Sequence, residues 1–294
     1  MERFSGFNDP LTGRNPFVER GVDYVGLSAV QRALYGGIQT YLIPLIGLAR
    51  IPLVLAFSLL WVPFQLLPRV LGRHVDALFA RLLLFCMGTY RICCFTSTKG
   101  NPRYASFKTP PRFHVASQLT NPLDVLAYTV VFRPGFIHIP YEDRLRKPFL
   151  AFFRAVFYQN YCPPRALKDS AHALFVSTRY PCICFPEGGP TNGTVLMVPT
   201  VTLQVPGTVV CAAVKYGPIL SIPTVARPYP TVSSFIHDVG VPLRAIDVQT
   251  VTQNGVESVM QGIGIAAGVP SGSLDAKARI EFLKRYMRKR DKDE

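Results

Sequence analysis

The sequence predicts an α/β fold, an α/β sandwich with a mostly parallel sheet that follows an apolar N-terminal membrane hairpin. Three observations lead to this prediction. Residues 33–68 contain a single charged side chain, Arg50. From about residue 96 onward, short β-rich runs alternate with helical ones, as in strand-helix-strand units. The chain of 294 residues is also apolar and basic, with 49% hydrophobic residues, 17% charged residues and a net charge of +14.

This composition excludes several classes of protein. Disordered chains are polar, whereas the mean hydropathy here is +0.22. A basic surface binds either nucleic acid or an anionic membrane face, and the apolar composition without a nucleic-acid-binding motif favours the membrane. The seven cysteines have neither the spacing of zinc ligands nor the pattern of a disulfide framework. We therefore expect membrane lipids as partners, no nucleic acid, no metal, no cofactor and reduced thiols.

The N-terminal third of the chain divides into a polar arm, residues 1–32, and a membrane unit, residues 33–95. No secretory signal peptide begins at Met1, which predicts an internal anchor. The two uncharged stretches on either side of Arg50, residues 33–49 and 51–68, are each slightly short of the roughly 20 residues that a span needs. They predict a hairpin that enters and leaves one leaflet, with Arg50 at its turn or end. A buried pair of helices in a soluble core is the alternative.

The segment after the hairpin predicts an interfacial helix. Arg69, Arg73, His74 and Arg81 form a positive flank, which is typical of the cytosolic side of a membrane. Residues 75–95 are again mostly apolar, with Arg81 and Arg91 interrupting the stretch, which favours an amphipathic helix on the membrane that leads into the first strand.

Residues 96–272 form the predicted α/β domain, and residues 273–294 form a basic C-terminal helix with Ser273 as its N-cap. Strands are predicted at residues 113–117, 135–139, 181–185, 209–215 and 239–248. Helices are predicted at residues 122–131, 149–158 and 165–177.

Two segments of this domain carry the chemistry. Ser117-Gln118-Leu119-Thr120-Asn121-Pro122-Leu123-Asp124 follows one predicted strand, and Phe185-Pro186-Glu187-Gly188-Gly189-Pro190-Thr191-Asn192 follows another. Here the chain resembles the glycerolipid acyltransferase family, especially the lysophosphatidylcholine acyltransferases and the related ancient ubiquitous protein of lipid droplets. The resemblance extends over about residues 15–290, and its most specific part is the Phe-Pro-Glu-Gly segment with the following Thr-Asn.

The resemblance implies a glycerol-phosphate-acyltransferase-like fold and acyl transfer from acyl-CoA to a lysophospholipid or glycerol-phosphate hydroxyl. Acyl-CoA is then a co-substrate. It also implies a substrate-binding role for Phe185, Pro186, Glu187, Gly188, Thr191 and Asn192. In that family a histidine removes the hydroxyl proton, and an aspartate five residues later orients the imidazole. Asp124 matches the aspartate.

The histidine position is occupied by Leu119, which cannot accept a proton. His114, ten residues before Asp124, is the candidate substitute base, and His138 is a second possibility. A further family motif, expected near residues 154–161, lacks its late arginine. Asp124 also has a purely structural interpretation, because Asn121, Pro122 and Asp124 are the residues that a helix start prefers.

Two functions therefore remain open at the level of sequence. The first is a membrane-bound lysophospholipid acyltransferase-family protein with its domain on the cytosolic face of the endoplasmic reticulum or of lipid droplets. The second is a catalytically inactive family member that binds lipid or acts as a scaffold on the same membranes. A basic nucleic-acid binder is a third and weaker interpretation.

Overall fold

The fold was obtained as a computed structural model. The structure describes residues 8–12, 16, 36–98, 101–103, 113–139, 145–158, 172–175, 180–187, 195–199, 201–204, 208–217, 231–241, 243–252, 258–274, 278 and 281–282.

Six helices and ten strands occur in these ranges. The helices are α1 (Ile43–Phe64), α2 (Arg69–Cys86), α3 (Leu123–Phe132), α4 (Pro148–Tyr158), α5 (Thr231–Gly240) and α6 (Val259–Ala267); a π-helical turn, Ile38–Leu42, precedes α1. The strands are β1 (Thr89–Thr98), β2 (Asn101–Arg103), β3 (Phe113–Ser117), β4 (Phe136–His138), β5 (Leu145–Arg146), β6 (His172–Phe175), β7 (Cys182–Cys184), β8 (Val201–Gln204), β9 (Thr208–Gly217) and β10 (Arg244–Thr252).

An eight-stranded mixed sheet with the order β2-β1-β10-β9-β3-β7-β4-β5 forms the centre of the domain. Four of its pairings are parallel: β1 with β10, β9 with β3, β3 with β7, and β7 with β4. The β2–β1, β10–β9 and β4–β5 pairings are antiparallel. Strands β6 and β8 form a separate parallel pair. The predicted α/β fold with a mostly parallel sheet is therefore confirmed.

The sheet is covered on both faces. Its larger core lies on the face covered by α1, α2, α3 and α4, where Val115, Ile183 and Val210 point from the strands. The smaller core lies on the other face, where Ala116, Cys211 and Ala213 pack against Ile263 and Ala266 of α6. Because side chains alternate along a strand, each strand contributes to both layers. This alternation decides which functional side chains can meet.

Arg50 lies within the continuous helix α1 and not at a turn, so the predicted position of the hairpin is wrong. The turn lies after Phe64, and α2 is the returning helix. Arg50 Nη1 donates to the carbonyl oxygens of Val239 at 3.1 Å and Val241 at 3.3 Å, at the C-terminal end of α5. A helix C-terminus carries partial negative charge, so the guanidinium is stabilised by protein and the chain needs no turn to bring it to water.

Among the described residues, one helix, Thr40–Phe64, is long and apolar enough to cross a membrane. The side of α1 that faces away from the domain carries no charged residue. Its exposed large side chains are Tyr41, Leu42, Leu45, Leu48, Leu53, Leu55, Leu59, Leu60, Val62 and Phe64. We call this set the apolar face of α1.

Most other predicted elements are confirmed within a few residues, and two are corrected. Residues 172–175 of the predicted third helix form strand β6, and the remainder of that segment lies outside the described residues. The strand predicted from residue 239 begins only at Arg244, since residues 239–240 end helix α5. The N-cap predicted at Ser273 stays a prediction, because residues 275–277, which it would cap, lie outside the described residues. Ser273 donates from its backbone N–H and its hydroxyl to Asp9 Oδ1 in the N-terminal arm.

Candidate functional site

The two sequence segments singled out above meet at one edge of the sheet. β3 and β7 are neighbouring parallel strands, so the segments that follow their carboxyl ends lie side by side. Gln118 Nε2 donates to the carbonyl oxygen of Val195 at 3.4 Å, which connects the loop after β3 to the chain that follows the Phe-Pro-Glu-Gly segment. Open α/β sheets bind ligands at this kind of edge.

Asp124 closes the N-terminal turn of α3. Its Oδ2 accepts from the backbone N–H of Thr120 at 2.7 Å, from the Thr120 hydroxyl at 3.0 Å and from the backbone N–H of Asn121 at 2.9 Å. In return, Asn121 Oδ1 accepts from the N–H of Leu123 at 2.8 Å. This reciprocal arrangement resembles a capping box, except that Asn121 accepts from Leu123 and not from Asp124, and the two side chains satisfy free N–H groups at the helix start.

The second oxygen of Asp124 is engaged as well. The hydroxyl of Tyr216, from the end of β9, donates to Asp124 Oδ1. Burial raises the pKa of Asp124 to about 6, while these hydrogen bonds act in the opposite direction. Burial and the charge of Asp124 raise the pKa of Tyr216 well above its ordinary value, so this phenol stays protonated at neutral pH. Asp124 thus uses both oxygens to join α3, the preceding loop and β9.

Tyr216 was missed by the sequence reasoning. Its signal is the alternation of β9, in which Val210, Ala212 and Val214 share the face covered by α3. A tyrosine two residues later on that face places its hydroxyl beside the start of α3. The contact depends on the pairing of β9 with β3, and nothing in the sequence reveals that pairing.

Leu119 is a core side chain. It is 4% exposed and packs in the larger core, so the position five residues before Asp124 holds no proton acceptor. A second buried pair lies nearby, because the hydroxyl groups of Ser117 and Tyr128 share a hydrogen bond. Among the described residues, the groups that donate to Asp124 are hydroxyl and backbone N–H groups.

His114 and Asp124 are not brought together. His114 alternates with Val115 on β3 and therefore points to the face covered by α6, whereas Asp124 and Tyr216 lie on the face covered by α3. His114 also lies about 10 Å along the strand from its carboxyl end, since a strand rises about 3.3 Å per residue. Its Nδ1 accepts from the backbone N–H of Cys182 at 3.3 Å. His138, on β4, has its Nδ1 3.7 Å from Cys184 Sγ.

Glu187 is fully buried and fixes the chain that follows the motif. Its Oε1 accepts from the N–H of Met197 at 2.7 Å, and the backbone around Glu187 bridges to that of Pro199. Its Oε2 is buried and has no hydrogen-bond partner among the described residues, which leave out residues 188–194. Burial raises the pKa of Glu187 to about 8, so the carboxyl group is largely neutral at pH 7 and can donate a hydrogen bond.

The other residues of the predicted binding segment have different positions. The ring of Phe185 is fully buried and lies 6.2 Å, centroid to centroid, from that of Tyr128, so Phe185 packs in the core. Pro186 is buried beside it. Gly188, Thr191 and Asn192 lie outside the described residues. Their predicted role in substrate binding stays a prediction, as does that of Glu187.

The part of the chain that the structure describes contains no group of three or more His, Cys, Asp or Glu side chains suited to a metal ion. Comparison with known proteins adds no assignment: no family model matches the chain, and neither the curated proteins nor the solved structures gave a match. The geometry of the site therefore carries the functional argument alone.

The raised pKa of Glu187 predicts an unusual dependence of stability on pH. The native state holds this proton up to about pH 8, whereas an unfolded glutamate loses it near the ordinary value of 4.5. The free energy of unfolding should therefore fall as pH rises from about 4.5 to 8, by on the order of a few kcal/mol. The raised pKa of Asp124, about 6, likewise makes the free energy of unfolding fall as pH rises toward 6.

Urea unfolding of the wild type and of Glu187→Gln between pH 6 and about pH 8 measures this effect. Glutamine keeps the oxygen that accepts from Met197 but has no proton to lose. The wild type should lose stability across this interval, and Glu187→Gln should lose much less. Equal slopes in the two proteins would contradict a buried neutral carboxyl group at Glu187.

Proposed function

We propose that this protein is a membrane-bound lysophospholipid acyltransferase-family protein that transfers an acyl chain from acyl-CoA to a lysophospholipid or glycerol-phosphate hydroxyl. The observation that carries the proposal is that the segments following β3 and β7 leave the carboxyl edge of the sheet side by side and are joined by the bond from Gln118 to Val195. Asp124 lies in the same layer as α1, whose apolar face suits lipid. A site for an amphipathic substrate needs both features.

The packing of α1 supports attachment to one leaflet. Near its start, Gly47 contacts the backbone of Ile236 in α5, and near its end the ring of Trp61 packs against Phe149 of α4 at a centroid distance of 5.1 Å. One side of α1 is thus covered by the domain along most of its length. A helix in that position cannot place its two ends on opposite sides of a bilayer without drawing the domain inside. We propose that α1 lies in the plane of the cytosolic leaflet, of the endoplasmic reticulum or of lipid droplets.

In the proposed reaction the acceptor hydroxyl oxygen bonds to the thioester carbonyl carbon and the carbon–sulfur bond breaks. The hydroxyl proton finally resides on the thiol of free CoA, which balances the step. The site can contribute by holding the two substrates in contact, which is a large part of catalysis in two-substrate reactions. In this role Asp124 is a positioning residue that shapes the loop, and the neutral carboxyl group of Glu187 is a hydrogen-bond donor for the head group.

A second function, lipid binding or scaffolding without catalysis, is favoured by a separate observation. Leu119 occupies the position of the family's base, and both oxygens of Asp124 are engaged by Thr120, Asn121 and Tyr216. General-base catalysis typically contributes about 10²–10⁴ in rate, and the described residues place no such base beside Asp124.

An acyl-transfer assay separates the two functions. Detergent-purified protein is incubated with labelled acyl-CoA and a panel of lysophospholipids, and labelling by a photoreactive lysophospholipid is measured in parallel. Turnover that is unchanged in His114→Ala and His138→Ala supports acyl transfer by positioning. Labelling without turnover supports the lipid-binding function. Neither turnover nor labelling, in a folded protein, would overturn both.

A further inference from the structure

A group of basic side chains lies where α1 ends and α2 begins. Arg69 and Arg73 are one turn apart at the start of α2, and Lys147 immediately precedes α4. Lys147 Nζ donates to the backbone carbonyl oxygen of Gln65, in the turn between α1 and α2. Burial and the charge of Arg69 lower the pKa of Lys147, which places these cations close together. We call these three residues the basic cluster.

One buried carboxylate faces the cluster. Asp76 Oδ2 accepts from Arg69 Nη1 at 2.9 Å, and Asp76 Oδ1 accepts from Trp61 Nε1 at 2.8 Å and from Gln65 Nε2 at 2.9 Å. These bonds use both oxygens of Asp76 and one nitrogen of Arg69. Of the side chains described around the cluster, Asp76 balances one of its three positive charges.

Three donor atoms of the two arginines have no acceptor among the described residues. They are Arg69 Nε, Arg69 Nη2 and Arg73 Nε, which are buried and make no hydrogen bond to any residue that the structure describes. The guanidinium carbon of Arg69 lies 5.4 Å from the ring centroid of Phe136. The guanidinium carbon of Arg73 lies 5.2 Å from the ring centroid of Tyr180. Nε and Nη2 form one edge of the guanidinium, and two N–H groups on one edge match two oxygens of a phosphate. Buried donors without acceptors are costly, so this edge is suited to an anionic acceptor.

The basic cluster also adjoins exposed apolar surface. Phe64, at the end of the apolar face of α1, is 41% exposed, and Leu66 in the following turn is 90% exposed. Val70 and Leu71, beside Arg69 on α2, are also exposed. Apolar side chains enter the acyl region of a leaflet while adjacent cations remain at the depth of the phosphates.

We propose that Arg69, Arg73 and Lys147 bind the phosphate of an anionic phospholipid in the leaflet that receives the apolar face of α1. This site lies at the junction of α1 and α2, apart from the Asp124 and Glu187 segments. The proposal rests on the membrane attachment proposed above. It makes the charge of the lipid, besides its apolar depth, a determinant of how firmly the protein binds.

A structural role in the hairpin accounts for only part of the cluster. The Arg69–Asp76 ion pair and the Lys147–Gln65 bond join α1, α2 and α4. Neither contact uses Arg73 or the free edge of Arg69. Arg73→Gln therefore tests lipid binding with both contacts intact, and Arg73→Gln/Lys147→Gln keeps the Arg69–Asp76 pair while it removes the Lys147–Gln65 bond.

Vesicle binding tests the proposal. Full-length protein is partitioned between buffer and vesicles of phosphatidylcholine alone, or of phosphatidylcholine mixed with phosphatidylglycerol, whose only charge is on its phosphate. The Arg73→Gln/Lys147→Gln variant should lose about thirtyfold in partitioning to the mixed vesicles, because each basic residue near an anionic surface contributes about fivefold. Its partitioning to phosphatidylcholine alone should stay close to that of the wild type.

A matched control removes the same charge elsewhere. Arg91 pairs with Asp247 at 3.7 Å on the surface, and the exposed Lys215 lies on β9. Both side chains point to the sheet face opposite α1, so Arg91→Gln/Lys215→Gln should reduce binding to mixed vesicles far less. Equal losses in the two double variants, or no preference of the wild type for mixed vesicles, would overturn the site.

Loss of membrane attachment is distinguishable from loss of the phosphate site, because it reduces binding to both kinds of vesicle. Leu59→Glu places a charge within the apolar face, at a side chain that is 71% exposed, and should reduce binding to both kinds of vesicle, whereas Ile265→Glu on α6 should not. A wild-type protein that binds neither kind of vesicle would overturn attachment and the site together.

Trp61, the only tryptophan of the chain, hydrogen-bonds to Asp76 beside the basic cluster. Its fluorescence should respond to mixed vesicles beyond its response to phosphatidylcholine, and the added response should disappear in the Arg73→Gln/Lys147→Gln variant.

Discussion

Asp124→Ala is expected to reduce the free energy of unfolding by about 4 kcal/mol or more, because its carboxylate is the buried acceptor for four donors. Two are backbone N–H groups, of Thr120 and Asn121, and two are hydroxyl groups, of Thr120 and Tyr216. Each buried donor left without an acceptor costs about 1–3 kcal/mol. Since whole domains are stable by only about 5–15 kcal/mol, this one change should remove a large share of the stability.

Urea unfolding followed by the fluorescence of Trp61 measures this loss. Tyr216→Phe removes one of the four donors and should cost about 1–2 kcal/mol. The double variant should cost less than the sum of the two, since both changes break the same contact. Asp247→Ala, which removes a half-buried carboxylate from a surface ion pair, is the matched control and should cost under about 1 kcal/mol.

The same variants test whether Asp124 orients a base. An orienting aspartate would lose turnover on substitution while the fold kept most of its stability. If Asp124→Ala unfolds at the wild-type urea concentration and yet abolishes acyl transfer, the structural role assigned to Asp124 is wrong and a base must be sought near it.

Local structure around Asp124 was predictable from the sequence, and its tertiary partners were not. The pattern Asn121-Pro122-x-Asp124 predicts a capped helix start from short-range geometry, and α3 begins within a residue of the prediction. Strand β3 occupies the residues that alternation and β-propensity predict. Tyr216, by contrast, reaches Asp124 through the pairing of β9 with β3, which local patterns do not encode.

Arg50 is a second case in which the sequence did not predict a tertiary partner. A lone cation in an apolar segment predicts a turn or an end only if water is its sole available partner. The carbonyl groups of Val239 and Val241 supply an alternative, and they belong to helix α5, which the sequence analysis did not predict. The apolar composition of α1 was predictable because it is local, whereas its course through the fold depends on a contact about 190 residues away.

Gly47→Ala is expected to destabilise the protein by about 2–3 kcal/mol, although alanine is the better helix former. Helices α1 and α5 touch through their backbones at two glycines. A Cβ atom at Gly47 would overlap the carbonyl oxygen of Ile236, and a Cβ atom at Gly240 would overlap the carbonyl oxygen of Ile43. Either methyl group forces the helices apart and weakens the bonds from Arg50 to the end of α5.

Gly36→Ala is the matched control, because a Cβ atom at Gly36 meets nothing within 4 Å. Gly36 lies in the same helical segment, so alanine there should leave stability unchanged or raise it by up to about 1 kcal/mol. Opposite signs for the same substitution separate the contact between helices from helix propensity. Gly240→Ala should behave like Gly47→Ala, and the double variant should cost less than the sum, since both glycines serve one contact.

Urea unfolding and limited proteolysis of the purified protein measure both parts of this expectation. Because the added methyl group forces α1 and α5 apart, Gly47→Ala should also expose the boundary between these helices to protease before the rest of the domain unfolds. A Gly47→Ala protein at least as stable as the wild type would show that α1 is not packed against α5 through its backbone. The attachment of the domain along the length of α1, and with it the in-plane position of that helix, would then lose its main support.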